Sequence, residues 1–371
     1  MGKRENDVTE MAFTLPRDYF VSQEIFRAEL EKIFYERWSC VGRAEQIDAA
    51  GKYFVCEIGE ESVIVLRDYE NVARAFYNVC RHRGTRICHE ENGKFARTIQ
   101  CPYHAWTYAL DGRLVGIPDP LEMPDLNKVD YPLHRIALHE WEGFLFLNLS
   151  RAPQNFSDAL TPLLDGRFDA WQIGKLRAAR RIEYDVNANW KLIVQNYSEC
   201  YHCPLIHPAL NQLSGHRTGV DMLTEGTVLG GYMELSADKE SMSLNGHVCA
   251  PPLQKVARED LSRVYYYSLF PNMLLSLHPD YVMVHTLQPL SIDRTHIVCE
   301  WLFDPATIVQ ENFDPLPAVE FWDMTNRQDW HACEISQMGV RSRAYTPGPY
   351  HGWQEALLVE FDRQVVKALG A

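Results

Sequence analysis

The sequence predicts an α+β fold, with an all-β domain followed by a larger α+β domain in which helices cover an antiparallel sheet. Residues 40 to 150 contain short strand-like runs separated by turns, whereas the later residues contain long apolar strands and then two helices, without regular alternation of strand and helix. A chain of 371 residues is long enough for two such domains. We expect an N-terminal helical segment over 1–40 that packs on the C-terminal domain, the all-β domain over 41–155 and the α+β domain over 156–371.

The N-terminal segment is predicted to be helical. The run "SQEIFRAELEKIFYERW" places apolar residues at helical spacing, and Ser22 stands where an N-cap is expected. In the β-rich region, Asp111-Gly112 is a two-residue hairpin signal.

Composition excludes several classes of protein. The formal net charge of -14 argues against a nucleic-acid or membrane-surface role, because both need basic patches. No apolar run reaches the roughly 18 residues that suggest a membrane span. The N-terminus lacks the apolar core of a signal peptide and the ten cysteines are scattered, which predicts a reducing cytoplasm. Neither a strand-linked GxGxxG nor a GxxxxGK[ST] motif is present, so we expect no bound nucleotide cofactor.

The stretch "CRHRGTRICHEENGKFARTIQCPYH" combines two mixed pairs, Cys80-x-His82 and Cys101-x-x-His104. A tetrahedral zinc site is one alternative and a chance meeting in a hairpin is another, but zinc fingers usually group cysteines with cysteines and histidines with histidines. Mixed pairs suit a two-iron cluster with both cysteines on one iron and both histidines on the other. Cys88 lies between the pairs and matches no ligand position.

These residues resemble a known motif. "CRHRG" followed by "CPYHAWTY" is similar to the Rieske [2Fe–2S] motif of the ring-hydroxylating oxygenase α-subunit family. The resemblance extends over essentially the whole chain. It implies that the all-β region is a Rieske domain whose cluster is held by Cys80, His82, Cys101 and His104.

A second segment, "NYSECYHCPLIHP", predicts a second metal site. Asn196, Glu199 and His202 recur at helical spacing and are expected on one helix face, while Pro204 distorts the chain so that His207 can converge on the same ion. Either histidine alone is more often a satisfied residue of a buried helix. Two histidines with a carboxylate form the facial triad of non-haem Fe(II) oxygenases, which leaves positions open for O2 and substrate.

The resemblance implies that the carboxylate comes from a late helix, "VEFWDMTNRQDWHACEISQMG". We expect Asp329 to be the third ligand of a mononuclear Fe(II), with Asp323 as the alternative, and Glu320 to lie on a solvated face. The family also implies that Glu199 bridges His202 to the cluster ligand His104 of a neighbouring chain, so a homotrimer is expected. Asn196 is expected to support this site from beside the ligands.

The function implied is that of the terminal oxygenase in a multicomponent system. A separate NAD(P)H-dependent flavin and iron–sulfur reductase is expected, since the chain itself has no flavin or nicotinamide signature. The "NYSECYHCP" segment resembles the branch that oxidises quaternary ammonium compounds such as betaines or carnitine, with aromatic-ring hydroxylation as the alternative. Other classes are a Rieske electron carrier without oxygenase activity and a ligand-binding protein with structural zinc.

A quaternary ammonium substrate prefers an aromatic cage. Tyr265, Tyr266, Tyr267 and Trp301 are possible members, although alternating aromatic residues in strands more often belong to the core.

Overall fold

The computed structural model describes residues 11–370. Residues 1–10 of the predicted N-terminal segment, and residue 371, lie outside the described residues. The α-helices are α1 (Asp18–Val21), α2 (Gln23–Glu29), α3 (Phe156–Ala159), α4 (Trp190–Tyr197), α5 (Cys203–Ile206), α6 (Pro208–Leu213), α7 (Pro305–Ile308), α8 (Leu316–Val340) and α9 (Ala356–Leu369). Short 3₁₀ turns occupy Ala44–Ile47, Pro120–Glu122, Lys128–Asp130, Thr161–Leu163, Asp169–Trp171, Ile173–Lys175 and Arg258–Ser262.

The β-rich region contains β1 (Ser39–Arg43), β2 (Lys52–Ile58), β3 (Glu61–Arg67), β4 (Ala73–Tyr77), β5 (Asn92–Lys94), β6 (Thr98–Gln100), β7 (Thr107–Ala109), β8 (Leu114–Gly116), β9 (Arg135–Trp141) and β10 (Phe144–Asn148). They form a seven-stranded sheet in the order β1-β10-β9-β4-β3-β2-β5 and a three-stranded sheet, β6-β7-β8. Gly112 lies in the turn between β7 and β8 with φ +90°, where a Cβ would meet the Phe76 ring at 2.4 Å. The turn at Asp111-Gly112 is therefore possible only with glycine.

The second region contains β11 (Arg177–Val186), β12 (Val220–Leu223), β13 (Val228–Glu234), β14 (Arg263–Leu269), β15 (Met273–Leu277), β16 (Val282–Ser291) and β17 (Arg294–Phe303). These strands form one antiparallel sheet in the order β11-β17-β16-β15-β14-β13-β12. The expected α+β fold, with an all-β domain and a helix-covered antiparallel sheet, is confirmed.

Helices α4 and α8 cover one face of the large sheet. Trp322 of α8 donates from Nε1 to the Tyr281 hydroxyl at 2.7 Å, and both residues are buried. At the other end of α8, Gln337 accepts the backbone N–H of Asn189 through Oε1 at 2.9 Å. Asn189 in turn caps α4 by accepting from Lys191 N. These contacts fix α4 and α8 side by side above the sheet.

The N-terminal segment packs on the same helices. Ser22 caps α2 by accepting from Glu24 N and Ile25 N, and a π-helical turn, Leu30–Phe34, continues α2. Glu29 and Lys191 form a fully buried ion pair, with Nζ 2.5 Å from Oε1. The segment is thus tied directly to the first turn of α4.

The two sheets are joined at β1. The Asn272 side chain accepts from Cys40 N and donates to Cys40 O, each at 2.9 Å, and both residues are buried. Cys40 is accordingly a core residue. Within residues 11–370, no helix is long and apolar enough to cross a membrane.

Candidate metal centres

The first predicted site lies on two loops of the β-rich domain. In the loop after β4, Gly84 N donates to Cys80 O at 3.0 Å and Cys80 N donates to Thr85 O at 2.8 Å. Gly84 has φ +73°, the left-handed conformation that reverses the chain. The loop therefore presents the residues just after Cys80 outward from the sheet.

The second loop, between β6 and β7, repeats this pattern. Ala105 N donates to Cys101 O at 3.1 Å, Cys101 N donates to Trp106 O at 2.9 Å, and Ala105 has φ +53°. The two loops are thus alike in backbone although their Cys–His spacings differ by one residue.

The four predicted cluster ligands converge between these loops. The His82 and His104 rings lie 4.8 Å apart, and the thiols of Cys80 and Cys101 interact directly. His82 stacks on Trp106, and its Nδ1 is buried without a hydrogen-bond partner among the described residues. An orphaned ring nitrogen beside paired thiols fits a bound two-iron cluster, whose metal would satisfy it.

Neighbouring side chains support this site. The Tyr108 hydroxyl lies 3.3 Å from Cys80 Sγ. Asn78 accepts the backbone N–H groups of Ile87 and Cys88 and donates to Cys88 O, so it holds the connection between the two loops. Cys88 itself is buried in the core and contributes no ligand atom here.

The second predicted site departs from the expected helix. Helix α4 ends at Tyr197, with Ser198 as its C-cap, so Glu199 and His202 lie in the turn beyond it instead of on its face. The Glu199 carboxylate accepts the backbone N–H groups of Tyr201 and His202. Such side-chain bonds to the backbone compete with helical hydrogen bonds and explain why the helix ends early.

Two further features shape this turn. A disulfide joins Cys200 to Cys203. The chain then forms the short helices α5 and α6, with Pro204 and Pro208 in their first turns and His207 between them. The distortion expected at Pro204 is not observed, because Cys203 is the first residue of α5 and the chain leaves helical geometry at His207 instead, with φ -123° and ψ 64°. The His202 and His207 rings still lie next to each other, with centroids 5.1 Å apart.

Asp329 of α8 completes a three-residue cluster. Its Oδ1 lies 3.3 Å from His202 Nε2 and 2.7 Å from His207 Nε2. The ligand atoms of these three residues all lie within 4.8 Å of one another. Two imidazoles and one carboxylate converging in this way fit a mononuclear Fe(II) facial triad.

The opposite ring nitrogens are held by other side chains. His202 Nδ1 lies 2.5 Å from Glu199 Oε1, and His207 Nδ1 lies 2.7 Å from Gln328 Oε1. Each Nδ1–H donates to its oxygen, which leaves Nε2 as the ligand atom. Burial lowers the pKa of His202, but hydrogen bonds to Asp329 and Glu199 outweigh burial and raise it to about 10. Gln328, adjacent to Asp329, has no counterpart among the predicted site residues.

The alternative carboxylates of α8 lie elsewhere. Asp323 accepts from the Tyr184 hydroxyl at 2.8 Å and from Arg327, away from the histidines. Glu334 accepts from Asn187, and Glu320 is exposed. Asp323 is six residues from Asp329 on a continuous helix, which turns it to a different face.

A cavity of about 150 Å³ opens over the triad, and Asn196 lines it. Tyr232 borders it, but the Tyr232 ring packs against Tyr265 and lies 4.4 Å from the Arg263 guanidinium. The remaining aromatic lining consists of Tyr197, Tyr266, Trp322 and Trp353. Of the aromatic residues considered from sequence, only Tyr266 is among them. Tyr265 and Tyr267 pack on the opposite face of the sheet against Trp171 and Phe168, and Trp301 is fully buried in the core.

One wall of the cavity is backbone. At Gly230, with φ +143°, a Cβ would meet Tyr266 O at 2.0 Å, and at Gly231 a Cβ would meet Val220 O at 1.9 Å. The glycine pair lets β12 and β14 approach β13 closely. A larger cleft of about 970 Å³ lies between the two sheets and contains none of the predicted ligands.

The charge of the cavity is negative. Its lining includes the carboxylates of Glu199, Asp221 and Asp329, and within the described chain no lysine or arginine lines it. Glu199 and Asp329 are engaged with the histidines, whereas the Asp221 carboxylate forms no ion pair with another described residue, and burial raises its pKa.

Comparison with known proteins links both sites to one family. Residues 37–128 match the Rieske [2Fe-2S] domain, and residues 173–371 match the catalytic domain of the ring hydroxylating alpha subunit. The glycine betaine monooxygenase oxygenase subunit of Pseudomonas aeruginosa is 29% identical over 378 residues, covering 94% of this chain and 87% of its own length. The carnitine monooxygenase oxygenase subunit of Escherichia coli is 36% identical over 201 residues, 54% of each chain.

Solved structures share the whole fold. A quaternary ammonium Rieske monooxygenase, described for carnitine oxidation and inter-subunit electron transfer, is 25% identical with a TM-score of 0.83 and covers 96% of both chains. Naphthalene 1,2-dioxygenase from Rhodococcus is 20% identical with a TM-score of 0.78, covering 96% of this chain and 94% of its own, a likeness of fold alone.

Proposed function

The chain belongs to the ring-hydroxylating α-subunit family of Rieske oxygenases, and we propose that it oxidises a quaternary ammonium compound, such as a betaine or a carnitine-like amine, at an N-methyl group or an adjacent carbon. The protein is the oxygenase component of a multicomponent system and depends on a separate reductase partner. Its cofactors are a Rieske [2Fe–2S] cluster and a mononuclear non-haem iron, which together supply single electrons and O2 activation when bound.

The proposed ligands are those that the geometry brings together. Cys80, His82, Cys101 and His104 hold the cluster, supported by the matched backbone of their two loops. His202, His207 and Asp329 hold the iron through two Nε2 atoms and one carboxylate oxygen. Asp323 is set aside because Tyr184 and Arg327 already occupy its oxygens.

The observation that carries the substrate class is the charge of the cavity. Asp221 offers an unpaired carboxylate, and aromatic faces such as those of Tyr266 and Trp353 attract cations. The described lining has no lysine or arginine, so it offers carboxylate and aromatic partners for a cation, a group that aromatic acids and hydrocarbons lack. A trimethylammonium group suits this lining, and the names of the betaine and carnitine monooxygenase relatives agree with it.

We assign Glu199 as the bridge between centres of neighbouring chains. The cavity over the triad is lined only by residues between 196 and 357, and no residue of the β-rich domain reaches it. Glu199 is bound to His202 at one side, while His104 lies half-buried beside Tyr103, which is 57% exposed. A head-to-tail homotrimer brings the loop of one chain to the turn of the next.

The second metal centre separates this function from that of a simple electron carrier. A carrier would have no use for three converging ligands beneath an aromatic cavity. Aromatic-ring hydroxylation remains the second candidate, since the same cavity can stack a neutral ring.

Anaerobic single-turnover measurements test the substrate class. The cluster is reduced, candidate compounds are added with O2, and oxidation of the cluster is followed by its visible absorption. We expect betaines and carnitine-like amines to accelerate cluster oxidation and to yield oxidised product, whereas aromatic acids do not. Acceleration by aromatic hydrocarbons alone would favour ring hydroxylation instead.

A further inference from the structure

The disulfide between Cys200 and Cys203 has no role in the oxygenase reaction described above. None of the other eight cysteines forms a disulfide, so this bond is a local feature of one turn. Disulfides in a reducing compartment are usually catalytic or redox-sensing, whereas frameworks of several bonds stabilise small secreted domains. A single bond at a metal centre points to redox chemistry.

We propose that Cys200 and Cys203 form a reversible thiol–disulfide site whose oxidised state holds Glu199 against His202 and whose reduced state loosens that contact. The inference rests on the proposed role of Glu199 as the electron bridge. Electron transfer through this turn is then sensitive to hydrogen peroxide and to small thiols.

The position of the bond within the turn supports this proposal. Cys200 and Cys203 enclose Tyr201 and His202, whose N–H groups both donate to Glu199. The two Cα atoms of the disulfide lie 5.0 Å apart. Apart from the disulfide, the turn is closed by those bonds to one carboxylate and by Cys203 N donating to Cys200 O at 3.3 Å. Without the covalent bond, only these hydrogen bonds hold the turn and keep the Glu199 carboxylate against His202.

The sulfur atoms also lie on the metal side of the turn. Cys203 Sγ is 3.9 Å from His202 Nε2, the proposed ligand atom, and both cysteines line the cavity. A disulfide sulfur carries no thiolate, whereas a free thiol at Cys203 can compete for metal. Reduction thus changes both the support of the bridge and the surroundings of the ligands.

The oxidant is hydrogen peroxide, and the step balances. One thiolate sulfur attacks a peroxide oxygen, the O–O bond breaks, the departing hydroxide is protonated to water, and a sulfenic acid forms. The second sulfur attacks the sulfenic sulfur, the S–S bond forms and a second water leaves. Two thiols lose two electrons and two protons, and one peroxide becomes two waters. In reverse, two small thiols reduce the bond through a mixed disulfide and become a disulfide themselves.

Peptide mapping tests the redox site directly. Cleavage after Lys191 and Arg217 releases a peptide, residues 192–217, that contains Cys200 and Cys203 and no other cysteine. The holoenzyme is treated with hydrogen peroxide or with a small thiol, alkylated and digested. We expect the peptide to be unalkylated and two hydrogens lighter after peroxide, and doubly alkylated after thiol. Double alkylation in every sample would overturn the proposal.

The rate of electron transfer tests whether the disulfide controls the Glu199 bridge. Oxidation of the photoreduced cluster by O2 and substrate is timed in the oxidised enzyme, the thiol-treated enzyme and Cys200→Ser. Loss of a group that orients a metal ligand typically costs 10- to 100-fold, so we expect the last two to be slower by about 10-fold or more. The Rieske absorption should not change, and each rate is normalised to the measured iron content because a free thiol at Cys203 can compete for the metal. Cys56→Ser, in the β-rich domain, is the matched control and should behave as the unmodified enzyme.

The outcomes separate the two proposals. Equal rates in the oxidised enzyme, the reduced enzyme and Cys200→Ser would show that the bond does not control the bridge. If Glu199→Gln also transfers electrons at the unmodified rate, the bridge itself is wrong, and the peptide mapping still decides whether the redox site exists.

Discussion

The Glu199 carboxylate lies 2.5 Å from His202 Nδ1, on the opposite side of the imidazole from Asp329. One imidazole therefore connects two carboxylates, that of Glu199 at Nδ1 and that of Asp329 at Nε2. The Glu199 carboxylate fixes the tautomer of His202, and the Asp329 carboxylate lies beside Nε2, the proposed ligand atom. This relationship supports the proposed role of Glu199, which is to orient the iron ligand and to bridge it to the cluster of another chain.

We expect Glu199→Gln to slow electron transfer from the cluster by about 10-fold or more, because the neutral amide fixes the imidazoles less well than a carboxylate. Stopped-flow measurement of single-turnover cluster oxidation checks this. Glu320→Gln, on the exposed face of α8, is the matched control. Unchanged kinetics in Glu199→Gln would contradict the bridge.

Mixed trimers test whether electrons cross between chains. His104→Ala removes a proposed cluster ligand and His202→Ala removes a proposed iron ligand, so each homotrimer should be inactive. Co-expression of the two chains should restore activity, because an intact cluster then faces an intact iron site across an interface. The measurement is product formation by the purified mixed trimer. A mixture as inactive as its parents would place electron transfer within one chain.

Asp221→Asn tests the counter-ion in the cavity. A partly exposed charge pair contributes up to about 1 kcal/mol, so the variant should bind a trimethylammonium substrate about fivefold more weakly. A neutral analogue with a tert-butyl group in place of trimethylammonium should bind both proteins equally. Titration of each compound gives the dissociation constants. An equal loss for both compounds would indicate a change of shape instead of charge.

The buried pair of Glu29 and Lys191 should dominate the stability of the N-terminal segment. Lys191→Met leaves a carboxylate buried without its partner, which costs about 3 to 5 kcal/mol of unfolding free energy. The double variant Glu29→Gln, Lys191→Met should recover most of that loss. Denaturant unfolding measures all three proteins. Lys52→Met, which breaks an exposed pair with Asp48, is the control and should change stability little.

The stability of the catalytic domain should depend on pH through Asp280. Its carboxylate accepts from Ser241 Oγ at 2.6 Å and Cys249 N at 2.7 Å, and burial raises its pKa from 3.8 to about 6. The folded chain therefore binds the proton more tightly than the unfolded chain. This contribution to stability is fully present below pH 3.8 and is lost as the pH rises through 6.

The comparison is with Asp280→Asn, which cannot titrate. Between pH 4.5 and pH 7.5, the unfolding free energy of the variant should rise relative to that of the unmodified protein by about 2 kcal/mol. Denaturant unfolding at both pH values measures this difference. A constant difference between the two proteins would contradict the assignment.

Spacing in the sequence predicted the elements that bear the sites. Mixed Cys–His pairs after strand-like runs, and a long C-terminal helix carrying Asp329, are local patterns that a single chain displays. The sequence did not reveal that the loops at Cys80 and Cys101 have similar backbones, because their Cys–His spacings differ. The likeness comes from hydrogen bonds that Gly84 N and Ala105 N donate to the two cysteine carbonyls.

Other features depend on contacts that spacing does not encode. The end of α4 at Tyr197 follows from the Glu199 carboxylate competing for backbone N–H groups. Nothing in the sequence marks Gln328 as a site residue, because its contact with His207 depends on how α8 packs. The aromatic lining comes from separate elements, such as β14 and the residues before α9, and only the fold brings Tyr266 and Trp353 together.

The glycine pair at Gly230 and Gly231 limits how substrate range can evolve in this chain. Any side chain there would collide with the backbone of a neighbouring strand, so substitutions at these two positions are not tolerated. Changes of substrate range are instead expected at exposed lining residues such as Asp221 and Trp353, where a new side chain meets no strand backbone. Relatives that keep the glycine pair are then expected to share this backbone wall of the cavity and to differ in the exposed side chains that line it.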